Sequence, residues 1–181
     1  MKGYKNMSIS KDFKDYKEEI ELALIQNACV EIELYSIIAC IVREGKHGSS
    51  ISLRDVSNRR TSKSPNNSNR LKGKSGFPDF VVLKREFSKD ADILGCIEAK
   101  MPTENLDNYE EQLNGHITSF NKVIYTNGIE WRFYDKKHHL KWNYELGKLE
   151  NNEIVWNNDC IWNNLLKGLD EINWSEKHYN I

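Results

Sequence analysis

Residues 76–100 decide the fold: Gly76-Phe77-Pro78-Asp79-Phe80-Val81-Val82-Leu83, a charged turn, then Ile93-Leu94-Gly95-Cys96-Ile97-Glu98-Ala99-Lys100. Short apolar runs bounded by Gly, Pro and charged residues predict two strands, Phe80 to Leu83 and Ile93 to Lys100, joined by the turn Lys84 to Asp92. Side chains two apart along a strand share a face. Glu98 and Lys100 therefore point one way, and Ile97 and Ala99 point into the packed side. Asp79 enters the neighbouring strand. If the strands pair, two carboxylates and one ammonium meet at one end of a sheet. Two hard oxygen donors suit Mg²⁺, with Mn²⁺ as a substitute, because such an ion keeps several waters and takes phosphate oxygens as further ligands. Ile97 and the carbonyl beside it are expected to complete the metal shell. A structural ion pair between Glu98 and Lys100 is the plainer alternative.

Acid-x-Lys triplets occur elsewhere: Asp12-Phe13-Lys14, Asp15-Tyr16-Lys17, Glu44-Gly45-Lys46 and Asp135-Lys136-Lys137. These lie in charged helical or loop contexts, where a solvated face explains them. Only Glu98-Ala99-Lys100 ends an apolar strand, where an unpaired charge is costly to bury.

Working outward, Ser10 is placed to cap a first helix carrying Phe13, Tyr16 and Ile20. From Ile20 to Arg43 the wide apolar stripe predicts one long helix packed on a sheet. Thr103 to Phe120 reads as a helix. Val123 to Thr126, Ile129 to Tyr134 and Leu140 to Leu146 read as strands, with Asn127-Gly128 turning between the first two. Asn158 to Trp174 reads as a last helix. This alternation predicts an α/β domain with a mixed central sheet flanked by helices.

The 181 residues suit one domain spanning 1–181, with 1–10 a loose arm. The net charge of −1 makes any nucleic-acid-binding surface local. Such a surface is expected in residues 49–74, a Ser/Asn-rich stretch read as a basic mobile loop. Its Arg54, Arg59, Arg60, Lys63, Arg70, Lys72 and Lys74 face a single acid, Asp55, and clustered cations release counterions from a phosphate backbone. Cys29, Cys40, Cys96 and Cys160 show no paired metal spacing, which fits a reduced, cytoplasmic setting. No apolar run approaches the roughly 20 residues that cross a bilayer. His116 and His138-His139 have no partners at zinc-site spacing. The tryptophans read as packing residues.

The segment Gly76-Phe77-Pro78-Asp79-Phe80-Val81-Val82 followed by Ile97-Glu98-Ala99-Lys100 resembles the PD-(D/E)xK nuclease superfamily. It is most similar to the nuclease lobe of type I restriction enzyme motor subunits and of fused restriction–methylation enzymes. The likeness continues through Glu111-Gln112-Leu113 and Tyr125-Thr126-Asn127-Gly128 into Glu130-Trp131-Arg132-Phe133-Tyr134, so residues 76–134 form the motif-bearing core. The resemblance implies a restriction-endonuclease-like core that cuts DNA with Mg²⁺. Asp79 and Glu98 would hold the metal, Lys100 would be the catalytic lysine, and Gln112 would steer the site or the DNA backbone. The family commonly adds a glutamate from the preceding helix. Glu31 and Glu33 are both candidates, and Glu33 is preferred because its helical neighbours are apolar. Gly73-Lys74-Ser75 lacks the earlier glycine and strand of a phosphate-binding loop, so this stretch is not expected to serve as a motor's nucleotide site.

These observations predict a Mg²⁺-dependent DNA endonuclease of restriction, phage defence or counter-defence, acting as a homodimer or as a subunit of a larger assembly, with no membrane partner. Two alternatives stay open. One is a silent nucleic-acid-binding or adaptor subunit on the same fold; the other is a nuclease acting on RNA or branched DNA.

Overall fold

The computed structural model describes residues 12–26, 31–60 and 68–175. The expected arm at residues 1–10, with Ser10, lies outside them. Among the described residues six strands form one sheet in the order β1-β2-β3-β4-β5-β6: Ile51–Asp55, Phe80–Lys84, Ile93–Ala99, Val123–Thr126, Glu130–Tyr134 and Leu140–Glu145. All neighbours are antiparallel except β3 and β4, which run parallel. A parallel pair needs a crossover, and here it is helix α3, Glu110–Phe120, entered through a 3₁₀ turn at Leu106–Tyr109.

Two cores cover the two faces. Alternation within each strand assigns its side chains. Phe80, Val82, Ile97, Ala99, Ile124, Trp131 and Phe133 pack with helices α1 (Phe13–Ile25), α2 (Glu33–Glu44) and α4 (Asp159–Glu171). Val81, Cys96, Val123 and Tyr125 pack on the other face with Leu113, Ile117 and Phe120 of α3. The expected mixed sheet flanked by helices is therefore present.

Three expectations are corrected. The single helix from Ile20 to Arg43 is two helices, with α1 ending at the cap residue Gln26 and α2 beginning at Glu33. Its continuous apolar pattern gave no sign of the break. Asp12, whose side chain accepts from Lys14 N at 2.9 Å, caps α1. The stretch 49–74, expected as a loop on its charge, contains strand β1, whose Ile51 and Leu53 are buried against the helical core. It also contains 3₁₀ turns at Ser57–Arg60 and Ser68–Leu71, and Val56 and Leu71 are buried in the second core.

The hairpin expected at Asn127-Gly128 joins β4 to β5. Asn127 Oδ1 accepts from Ile129 N at 3.0 Å and Glu130 N at 2.7 Å, and Gly128 takes φ 83°, a region costly for residues with a Cβ. The Tyr16 hydroxyl donates to the Gly128 carbonyl and accepts from Trp131 Nε1 at 3.2 Å, which locks α1 onto the turn. Beyond β6, Gly147–Glu150 (β7) and Glu153–Trp156 (β8) form a separate hairpin that sequence reading missed. Among the described residues no helix is long and apolar enough to cross a membrane.

Candidate active site

The register of β2 on β3 pairs Phe80 with Ile97 and Val81 with Cys96. One step further along, Asp79 faces Glu98, and opposed residues of an antiparallel pair lie on the same side of the sheet. Asp79 is fixed on several sides. Its Oδ2 accepts from Ala99 N at 2.8 Å, its Oδ1 accepts from the Tyr35 hydroxyl, and its carbonyl accepts from Val56 N at 2.9 Å. Both carboxylates are fully buried.

Glu98 is surrounded by donors of another kind. Its Oε1 accepts from Lys100 Nζ at 2.7 Å and from Gln112 Nε2 at 2.5 Å. Its Oε2 lies 3.3 Å from Nε2 of buried His116. That contact is not aligned as a hydrogen bond, and Oε2 and both ring nitrogens have no hydrogen-bond partner among the described residues. Gln112 and His116 sit one turn apart on α3, hence on the face turned to β3. Lys100 Nζ also lies 3.7 Å from Glu31 Oε2, 5.1 Å from the Tyr109 ring centre and 5.9 Å from that of Tyr125.

The electrostatics follow from burial and proximity. Burial first and the neighbouring Glu98 second raise the Asp79 carboxyl, the bonds from Tyr35 and Ala99 N–H offset only part of this, and the net result is about 7. Burial also pushes Glu98 up, but His116 and Lys100 beside it outweigh that and hold it below the usual carboxylate range. Burial, with Asp79 against it, drives the Tyr35 hydroxyl upward, so Tyr35 stays a donor.

The approach to Asp79 is set by a tight turn. Gly73 and Gly76 exchange backbone hydrogen bonds of 2.8 and 3.1 Å, and Lys74 N donates to Ser119 Oγ on α3 at 2.9 Å. Gly115 of α3 permits this contact, because a Cβ there would overlap Ser75.

The structure brings Asp79, Glu98, Lys100 and Gln112 together. It does not bring Glu33, which is exposed on the first turn of α2; Glu31, the less favoured candidate, reaches Lys100 and Tyr35 instead. The helix break explains the reversal, since the apolar neighbours assigned to Glu33 assumed a continuous helix. The Ile97 side chain is buried in the helical core, and Ile97 pairs with Phe80 and Ile124 on the neighbouring strands, so only a main-chain carbonyl there could serve a metal. Sequence reading missed the roles of Tyr35 and His116, whose proximity to the acids is purely tertiary.

Among the basic residues, Arg54 lies exposed on β1 and Lys72 and Lys74 are exposed beside the tight turn. Arg59 and Arg60 belong to a 3₁₀ turn, and Lys63 lies outside the described residues. Arg70 is not a free cation, because its guanidinium donates to the Lys89 carbonyl at 2.6 Å and to the Ala91 carbonyl, tying it to the β2–β3 hairpin.

Among the described residues no group of three or more His, Cys, Asp and Glu side chains forms a metal cage. Two facing carboxylates fit a hard divalent ion that keeps most of its other ligands from water and substrate. Glu98 Oε2 accepts no hydrogen bond among the described residues, and burial beside Glu98 raises the Asp79 carboxyl, which a cation between the two would relieve.

No protein-family model matches the chain, and no curated protein matches it. A restriction-endonuclease-like core, mixed sheet between helices, is nonetheless the class this architecture defines. Among solved structures the chain is similar to one in a cryo-electron-microscopy structure of a DrdV–DNA complex. The TM-score is 0.55 at 13% identity, over 88% of this chain and 14% of that one. The likeness is of fold, to a small part of a much longer polypeptide.

Proposed function

We propose that this chain is a metal-dependent DNA endonuclease of the PD-(D/E)xK type, serving in restriction, phage defence or counter-defence. The observation that carries the reading is the meeting of Asp79, Glu98 and Lys100 in one buried cluster at the β2–β3 strand ends. In the reaction one P–O ester bond breaks, a water oxygen forms a new bond to phosphorus, and a proton reaches the departing oxygen.

Asp79 and Glu98 would hold Mg²⁺, which when bound polarises the phosphodiester and makes its water more acidic. Lys100, held between Glu98 and Glu31, presents an ammonium to the attacking water and to the charge growing on phosphorus. Gln112 fixes the Glu98 carboxylate, and the single hydroxyl proton of Tyr35 goes to Asp79, with Glu31 Oε1 3.1 Å from the same oxygen. Such supporting hydrogen bonds set the ligands' orientation before substrate arrives. Arg54, Lys72 and Lys74 offer exposed charge to the DNA backbone.

The test is incubation of supercoiled plasmid with the protein and Mg²⁺. Nicking that is abolished by chelation and by Asp79→Ala or Lys100→Ala supports the proposal. A native chain that binds DNA but never cuts it would leave a silent binding subunit. Preference for RNA or branched DNA would change the substrate and keep the chemistry.

A further inference from the structure

A row of polar side chains leads from the candidate active site across the sheet. The registers pair Glu98 with Tyr125, Tyr125 with Arg132, and Arg132 with Asn143, so all four share the face covered by α3. The row ends in a cleft of about 530 Å³, lined in part by Thr103, Asn105, Asn127, Arg132 and Asn143. That volume lies within the roughly 300–1,000 Å³ of small-ligand sites. The cleft adjoins the site through the chain itself: Thr103 follows closely on Lys100, and Asn127 follows Thr126, whose carbonyl accepts from Lys100 N at 2.8 Å.

Four carboxylates and two cations line the cleft, and each is already engaged by a side-chain partner. Arg132 bonds Glu130 and Asp107 at 2.6 Å each, the Glu104 carboxylate accepts from the Tyr109 hydroxyl at 2.7 Å, and Glu145 faces Lys148 at 3.6 Å. A phosphate would meet more carboxylates than cations, and a free cation would meet carboxylates already engaged. What fits is a neutral, planar ligand rich in hydrogen-bonding groups. Asn143 is exposed at the cleft wall, and its side-chain amide makes no hydrogen bond among the described residues. An amide presents a donor and an acceptor side by side, which match the N6 and N7 edge of adenine. Tyr125, fully buried between the carboxylates and Arg132, has a hydroxyl with no partner among the described residues.

We infer that this cleft is a base subsite: it takes one nucleobase of the substrate strand, turned out of the stack next to the scissile phosphate, and Asn143 reads its edge. Three strand spacings separate Glu98 from Asn143, roughly 14 Å, which places the base on a nucleotide flanking the cut. This rests on the nuclease reading above and adds to it where the neighbouring base is held.

The experiment is an abasic scan. The cut position is mapped first, and then DNA substrates carrying one abasic site at each flanking position are cleaved by the full chain with Mg²⁺. Cleavage should fall by about tenfold or more at one position, the size of one specific base interaction, while its neighbours change little. Asn143→Trp, which fills the cleft, should lower cleavage of intact DNA by a similar factor and abolish the penalty at that position. Its Mn²⁺ affinity, measured by calorimetry, should equal that of the native chain. A flat scan, or an Asn143→Trp chain that cuts intact DNA like the native one, overturns the base subsite and leaves the nuclease standing. Absence of all cutting by the native chain overturns both. If Asn143→Trp does not fold, the scan on the native chain decides.

Discussion

Lys100 Nζ lies 2.7 Å from Glu98 Oε1 and 3.7 Å from Glu31 Oε2, so one ammonium links a buried carboxylate to a half-buried one. It supplies the only protein cation paired with Glu98 among the described residues apart from His116 in its charged form. A metal ion entering between Asp79 and Glu98 must share Glu98 with this lysine. Lys100→Met should therefore slow DNA cleavage by about a hundredfold or more, the usual cost of removing a group that stabilises transition-state charge. It should at the same time tighten Mn²⁺ binding, as calorimetry would show. Weaker metal binding in Lys100→Met would mean that the lysine supports the metal site instead of competing with it.

Glu31 and Glu33 should separate cleanly. Glu31→Gln removes the charge that Lys100 faces and that competes with Asp79 for the Tyr35 hydroxyl proton. It should reduce cleavage by about tenfold to a hundredfold, as for other outer groups at a metal site. Glu33→Gln, on an exposed helical face, should leave the rate unchanged. Initial rates of plasmid nicking measure both, and equal losses would return Glu33 to the site.

The metal-free protein should lose stability as pH rises from about 4 to about 7. Asp79 is raised to about 7 in the fold, whereas an unfolded aspartate titrates at about 3.9. Between those values the native chain keeps a proton that the unfolded chain has released, so unfolding becomes more favourable with each pH unit, by up to about 1.4 kcal/mol. Thermal melting across this range in EDTA should show the decline, Asp79→Asn should flatten it, and saturating Mg²⁺ should reverse it. An EDTA melting curve that rises steadily through this window in the native chain, and equally in Asp79→Asn, would contradict the buried, charge-crowded setting of Asp79.

The basic residues should divide by function. Replacing Arg54, Lys72 and Lys74 together with Ala should lower the slope of log affinity against log salt by up to about 3, since each neutralised phosphate contributes roughly 0.9. Arg70→Ala should leave that slope alone and lower the melting temperature, since its guanidinium holds the β2–β3 hairpin. Filter binding over a salt series, with a melt of each variant, distinguishes the two.

Tyr16→Phe should cost about 1–3 kcal/mol in urea unfolding, because it strands the buried Gly128 carbonyl and Trp131 Nε1. A neutral result would mean that water replaces the hydroxyl and that α1 is held by packing alone.

Much of this arrangement is legible in the chain. Pro78-Asp79 and Glu98-Ala99-Lys100 bound two short apolar runs, and alternation then assigns each side chain to a face, as found for Ile97 and Ala99 against Glu98. What escaped is instructive. Strand β1 hid because Arg54 and Asp55 dominate a five-residue stretch whose only strand signal is Ile51 and Leu53. The β7–β8 hairpin hid among charges, although Asn151 and Asn152, with φ of 51° and 67°, are the residues such a tight turn favours. The helix break, and with it the choice of Glu31, left no trace in an apolar stripe that continues on both sides. His116 and Tyr35 meet Glu98 and Asp79 only through the packing of α3 and α2 on the sheet, and spacing along the chain carries no record of that.

The most direct measurement is anomalous diffraction from a crystal of the native chain soaked in Mn²⁺. A peak touching a carboxylate oxygen of both Asp79 and Glu98 is the predicted result. A well-occupied manganese elsewhere on the chain, with these two carboxylates bare, would contradict the account.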